Sequence, residues 1–378
     1  MKAAVTTLAI CVAALLALGL VMLYSSMMTA SAGPHDLMMQ LIWCAAGFVL
    51  CVTATSLDYQ ILKKCVWPIF ILALIGLALV YVPHIRHSSH GAKRWIGFGG
   101  FTLQPSEFAK LALIILLAWH GERNQRQMHT WKRGIFFPSA IIGVTLGLIF
   151  IEPDRGQTIL LAAVSGAMLL IAGVQLRKLI LPGLFTAGAL AFSLFHDSMR
   201  RGRIAAWLYP DAHAGGAALQ AQQAMFGLGS GGWFGVGLGN GVRKFGYLPE
   251  IHTDFIFANI GEELGLIGTL LVVATFIVIA FCGIYIALRS RDTFGFLLAS
   301  GLTFLISLQA AINIGVVTSA LPNKGLPLPF ISYGGSNLVA LLTCIGILFS
   351  IARHAPAREK VSRSTIERDD NPFAARAT

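Results

Sequence analysis

The chain has 378 residues, 56% of them apolar and only 12% charged, with a mean hydropathy of +0.73, a balance that excludes an ordinary soluble domain. A formal net charge of +11 raises nucleic acid as a partner. The Lys and Arg residues lie in short clusters between apolar runs, however, which is the distribution of membrane topology and points away from nucleic acid.

In chain order, apolar runs long enough to cross, or nearly cross, a core that needs about 20 residues fall at 3–28, 37–57, 66–83, 106–119, 134–151, 156–174, 179–195, 255–288, 293–317 and 335–352. They predict an all-α polytopic membrane protein of about ten transmembrane helices, with one large extracytoplasmic loop, residues 196–254, between the seventh and eighth. Lys2, the first run and Ala30-Ser31-Ala32 imitate a secretory signal. That run has the length of a full span, whereas a signal needs only roughly 7 to 15 apolar residues. Residues 1–352 are read as a single transmembrane domain and 353–378, with Pro356, Pro372 and mixed charges, as a short disordered cytoplasmic tail. Cys11, Cys44, Cys51, Cys282 and Cys344 lie inside apolar runs and Cys65 at the edge of one, without metal-ligand spacing, so neither a disulfide framework nor a zinc site is indicated.

With both termini in the cytoplasm, Lys63 and Lys64, then Arg123, Arg126, Lys132 and Arg133, then Arg177 and Lys178, then Arg289 and Arg291 fall inside, as the positive-inside rule asks. The same assignment leaves Arg86, Lys93, Arg94, Arg155, Arg200, Arg201, Arg203, Arg243, Lys244 and Lys324 on the outer face. Cations kept against the rule suit an anionic group such as a pyrophosphate. For residues 196–254 the alternative is a loop long enough to escape the rule.

Several stretches carry candidate chemistry. Gly91 to Lys110 leads into the fourth helix, with Pro105 suited to its first position and Glu107 to its first turn. Glu107 and Lys110 share a face and either pair with each other or turn to a neighbouring helix. Trp95 is a membrane-belt aromatic or a ligand contact. Glu152-Pro-Asp-Arg-Gly156 is a tight outer turn with two carboxylates. The glycine-dense run 227–241 lacks the Gly-Lys-Ser/Thr ending and strand-to-helix setting of a nucleotide loop, so no nucleotide is expected, and its glycines allow close backbone approach. Tyr247 to Gly265 sets Glu250, His252, Asp254, Glu262 and Glu263 against an apolar run, where charge is retained only with a partner, water or a task. Thr253 or Asp254 suits the N-cap there, placing Asp254 at the outer mouth of a helix. Gln309 and Asn313, four apart, read as interhelical hydrogen-bonding groups. Pro322, Pro327 and Pro329 stiffen the loop that holds Lys324 and Ser332.

Lys93-Arg-Trp-Ile-Gly97, Gln104-Pro-Ser-Glu-Phe-Ala-Lys110, Glu152-Pro-Asp154 with Gly156, the glycine run 229–239, Leu248 to Gly265 and Leu326 to Ser336 together resemble the SEDS family of bacterial cell-wall proteins. The forms Phe330-Ile-Ser-Tyr and Leu248-Pro-Glu-Ile-His-Thr-Asp lean towards its division branch. Arg155-Gly-Gln-Thr158 and Leu208-Tyr-Pro-Asp-Ala-His213 depart from the family pattern. The resemblance implies an inner-membrane glycosyltransferase that polymerises lipid II and works with a class B penicillin-binding protein (a transpeptidase) and with other divisome or elongasome membrane proteins. It puts the essential aspartate at Asp254, with Glu107 and Lys110 close by.

The expected chemistry joins a sugar hydroxyl to an anomeric carbon whose leaving group is a lipid pyrophosphate, so the donor brings its own driving force. Asp254 is the candidate general base, or the ligand of an activating divalent cation, Mg2+ or Mn2+. Glu107 and Lys110 orient it. Lys93, Arg94, Arg243 and Lys244 hold pyrophosphate, and Trp95, Glu152, Asp154, Glu250, His252, Lys324 and Ser332 complete the substrate-binding set. A lipid II transporter and a scaffold that only recruits a transpeptidase are the competing classes.

Overall fold

A chain crossing lipid must satisfy its own backbone hydrogen bonds, so the apolar runs fold as helices. The structure, a computed structural model, describes residues 1–26, 34–82, 86–89, 92–98, 101–152, 154–196, 198–209, 219–245 and 252–356. Helices α1 (Lys2–Ser26), α2 (Pro34–Ser56), α3 (Gln60–Lys64) and α4 (Val66–Leu79) come first, followed by strands β1 (Arg86–Ser89), β2 (Ala92–Phe98) and β3 (Phe101–Leu103). Next are α5 (Pro105–Arg123), a 3-10 turn, a π-helical turn (Trp131–Phe136), α6 (Phe137–Ile151), α7 (Arg155–Ile171) and α8 (Leu176–His196). The chain continues with α9 (Ser198–Leu208), α10 (Leu219–Ser230), α11 (Ile256–Leu288), α12 (Thr293–Val317) and α13 (Gly335–Arg353).

Among the described residues seven helices are long and apolar enough to cross a membrane, and α4 and α7 are shorter apolar helices. Burial sorts them. In α13, 89% of the apolar window is inside the protein and in α12 61%, against 6% in α8, so α12 and α13 form the centre while α8 turns its Leu and Phe side chains outwards. The core joins α5, α7, α11, α12 and α13 through residues such as Leu113, Leu161, Ile260, Leu302 and Leu341.

Two features lie outside the simple helix reading. Residues 86–103, read as an outer loop, form an antiparallel sheet in the order β1-β2-β3, with Ile96 opposite Leu103 and His87 opposite Trp95. The long segment 196–254 contains α9 and α10, and the glycine run begins in the last turn of α10. That run reaches α11 and breaks it: Gly265 has φ 71° and ψ −167°, a conformation open essentially to glycine alone. Val236 and Gly237 donate backbone hydrogen bonds to the carbonyls of Glu262 and Glu263, and Leu266 and Ile267 donate to Gly232 and Trp233. The loop backbone thus replaces the missing turn of helix.

The tail assigned to 353–378 lies largely outside the described residues, since α13 runs to Arg353 and the described chain stops at 356.

Candidate active site

Asp254 occupies the turn of residues 252–255 just before α11 and is partly buried. The N-cap of α11 is Phe255, with no side-chain capping bond, which corrects the expectation of Thr253 or Asp254: the helix begins one residue later and leaves the Asp254 carboxylate outside the cap. The turn is held from behind by α12 and the segment 318–334. Asn313 Nδ2 donates to the Asp254 carbonyl at 2.8 Å and to the Leu326 carbonyl at 2.7 Å. Ser332 Oγ donates to the Thr253 carbonyl at 2.5 Å and accepts from Leu328 N at 2.8 Å. Tyr333 N donates to the His252 carbonyl at 2.9 Å, and the two rings meet edge-on. Ser332, expected to touch substrate, is buried and acts as a clamp on the turn.

Beside this turn lies a second network. Pro105 and Glu107 open α5 as the sequence predicts. Glu107 and Lys110 form an ion pair at 2.7 Å, each 1% exposed, and a buried pair of charges needs further hydrogen bonds to be tolerated. Gln157 Nε2 supplies one to Glu107, and Lys110 Nζ reaches Gln309 Oε1 at 3.4 Å. Gln309 Nε2 in turn donates to the Pro327 carbonyl at 2.9 Å and to Asn337 at 3.0 Å. Gln309 and Asn313 therefore bind loop backbone as well as a neighbouring helix, fixing residues 326 and 327 next to the Asp254 turn.

Arg94, on β2, donates to the Glu152 carbonyl at 3.3 Å and pairs with Asp154 at 3.2 Å. Asp154 also caps α7 by accepting from Gln157 N at 3.0 Å. Glu152 is 1% exposed, and neither carboxyl oxygen has a hydrogen-bond partner among the described residues. Burial, with the Asp154 charge adding to it, pushes the Glu152 carboxyl up to about 8 against the pull of Arg94. Arg94, Asp154, Arg155, Gly156, Arg203, Lys324 and Gly325 border one cavity of about 220 Å³. Four cations against one carboxylate make it an anion site by charge. Burial also lowers the Lys324 ammonium from its usual value, a cost that an arriving anion offsets. Gly325 connects this cavity to Asp254, for a Cβ at Gly325 would collide with the Asp254 carboxylate.

Other expected site residues sit elsewhere. Lys244 is 1% exposed and pairs with Glu263 at 3.0 Å, while its ammonium also donates to the Gly239 carbonyl at 2.7 Å and to Ser25. It has no proton left for a pyrophosphate. Arg243 binds Gln223 through its side chain, and its backbone N–H donates to Glu262. These contacts staple the glycine run to the broken helix, which accounts for Glu262 and Glu263 near lipid. Lys93 pairs with Ser88 in the sheet, its side chain lying outside the described residues, and Trp95 is half-buried opposite His87. Glu250 lies outside the described residues. Arg155, Arg203, Gln157 and Gly325 are additions to the expected set. Arg155 and Arg203 already carried the signal of a cation against the topology rule.

Among the described residues no group of three or more His, Cys, Asp or Glu side chains converges. A Mg2+ or Mn2+ ion held by Asp254 would therefore take its remaining oxygen ligands from the substrate pyrophosphate and water, and the chemistry below is written through Asp254 itself.

A polytopic helical membrane protein with a carboxylate at the rim of a cationic cavity defines the class. The chain belongs to the SEDS family: the FtsW/RodA/SpoVE family model, described as a cell cycle protein, matches residues 6–357. It is 39% identical over 346 residues to the probable peptidoglycan glycosyltransferase FtsW of Trichlorobacter lovleyi, covering 90% of this chain and 91% of that one. Its structure matches a chain of a solved peptidoglycan synthase complex with a TM-score of 0.77 at 27% identity, covering 92% of this chain and 96% of the other. It also matches the rod shape determining protein RodA of Thermus thermophilus with a TM-score of 0.69 at 27% identity, covering 93% and 97%.

Proposed function

We propose that this protein is a peptidoglycan glycosyltransferase that polymerises lipid II on the outer face of the cytoplasmic membrane, with ten spans, both termini inside, a septal role in cell division and a class B penicillin-binding protein as partner. The observation that carries the reading is the cavity bordered by Arg94, Arg155, Arg203 and Lys324 with Asp254 across Gly325. Relatives named as glycosyltransferases support the reaction class.

In the reaction an acceptor sugar hydroxyl attacks the anomeric carbon of the donor. The new C–O bond forms as the bond to the lipid pyrophosphate breaks, and the hydroxyl proton passes to Asp254. The cavity cations take up the charge that grows on the departing pyrophosphate, where preorganised charge counts most because it needs no reorientation. Asn313 and Ser332 fix the turn that carries the base, and Glu107, Lys110 and Gln157 brace the neighbouring helix ends. Holding donor and acceptor in line supplies much of the remaining acceleration.

The test is purified protein with labelled lipid II. Glycan ladders on a gel support the polymerase. Movement of lipid II across liposomes without polymer makes the protein a transporter, and neither activity, with a transpeptidase still bound, makes it a scaffold.

A further inference from the structure

The far end of the bundle carries a second cavity, of about 710 Å³, between the start of α1 and the ends of α2, α11 and α13. It is separated from Asp254 by the whole length of α11. Lys2, Arg289 and Arg353 border it and are exposed, and no acidic residue lines it among the described residues. Its walls are apolar in part, with Val5 and Phe349 half-buried in them. On α11, next to the lining residues Tyr285 and Arg289, Phe281, Ile284 and Leu288 are 68%, 50% and 70% exposed and form an apolar surface. A volume of this size accommodates a headgroup and the first part of an acyl chain.

We propose that this crevice binds an anionic phospholipid of the inner leaflet, its phosphate among Lys2, Arg289 and Arg353 and its acyl chains along α11. A free phosphate shares the charge but has no use for the apolar wall. Basic pockets between helices at the cytoplasmic surface take lipid headgroups for this reason. Three cations placed only to offset the carbonyl ends of α11 and α13 would show no preference among lipids. The inference is independent of the chemistry at Asp254.

Full-length protein, purified in detergent and supplied with phosphatidylglycerol or phosphatidylcholine, tests it through lipid retention in native mass spectrometry. The parent should retain phosphatidylglycerol in preference. Arg289→Gln with Arg353→Gln should weaken that retention roughly fivefold per cation, hence roughly 25-fold together, while Arg289→Lys with Arg353→Lys keeps most of it. Equal retention of the two lipids by the parent overturns the proposal, and so does unchanged retention by the Gln pair. Displacement of phosphatidylglycerol by inorganic phosphate at equal concentration also overturns it, in favour of a free-anion site. No lipid held by the parent means that something else fills the crevice, and the proposal fails. Should the Gln pair not fold, the parent's lipid preference and the phosphate competition decide the matter.

Discussion

Asp254 and Glu152 are both carboxylates beside the cationic cavity, Asp254 across Gly325 and Glu152 through Arg94, and their surroundings give them opposite expectations. Asp254 is gripped through its backbone, by Asn313 on its own carbonyl and Ser332 on that of Thr253, so replacing its side chain leaves the turn in place. Asp254→Asn should therefore lower lipid II polymerisation by roughly 100 to 10,000-fold, the range for loss of a general base, with expression and melting temperature near those of the parent. Near-parental polymer output from well-folded Asp254→Asn would remove it from the chemistry. Glu152 ionises near 4.5 in an unfolded chain but holds its proton up to about 8 when folded. Between those values the folded state binds more protons, so stability falls as pH rises from 4.5 to 8, by at most about 5 kcal/mol, and levels off above. Glu152→Gln should flatten the pH dependence of the melting temperature and raise it most at pH 8. Parallel melting curves for parent and variant across that range would show that Glu152 is not the buried acid responsible.

At the scale of elements, the helices were legible because a long apolar run has one stable form in lipid, and Pro105 and Glu107 mark the start of α5 where the structure begins it. The sheet β1-β2-β3 was not, since β1 and β3 have only four and three residues, β2 lacks a clean alternation of apolar and polar residues, and all three depend on antiparallel pairing for definition. The position of Asp254 at a helix mouth could be read from Pro249 and the apolar run after it. The pairing of Arg94 with Asp154, and of Lys244 with Glu263, could not: each joins segments whose proximity leaves no periodic trace in the chain. The same holds for the glycine run, whose close approach was expected but whose partner proved to be the broken turn of α11. A methyl group at Gly265 would meet the Trp233 carbonyl and the Gly235 nitrogen in a backbone region that only glycine occupies comfortably. Gly265→Ala should cost about 1–3 kcal/mol from conformation alone, with the collision added, and should lower folded yield in size-exclusion chromatography. A yield and melting temperature equal to the parent's would mean that the break in α11 is not required.

For the whole molecule, the consequence of the charge distribution is an orientation. Asn240 and Arg126 are both exposed and should lie on opposite sides of the membrane. In a cysteine-free background, Asn240→Cys should react with an impermeant maleimide in intact spheroplasts and Arg126→Cys should not. The reverse pattern would turn the cationic cavity towards the cytoplasm, where lipid II polymerisation could not use it. The interruption of α11 bears on this arrangement mechanically. An unbroken 33-residue rod would act as a lever, delivering each tilt imposed by changing bilayer thickness to its tip. Here the rod is broken at Gly265, and the glycine run hydrogen-bonds to both pieces, to the Glu262 and Glu263 carbonyls before the break and to the Leu266 and Ile267 N–H groups after it. The glycine run is a splint across the break, holding the two pieces of α11 at one fixed angle, so that the Asp254 turn and the shaft tilt together.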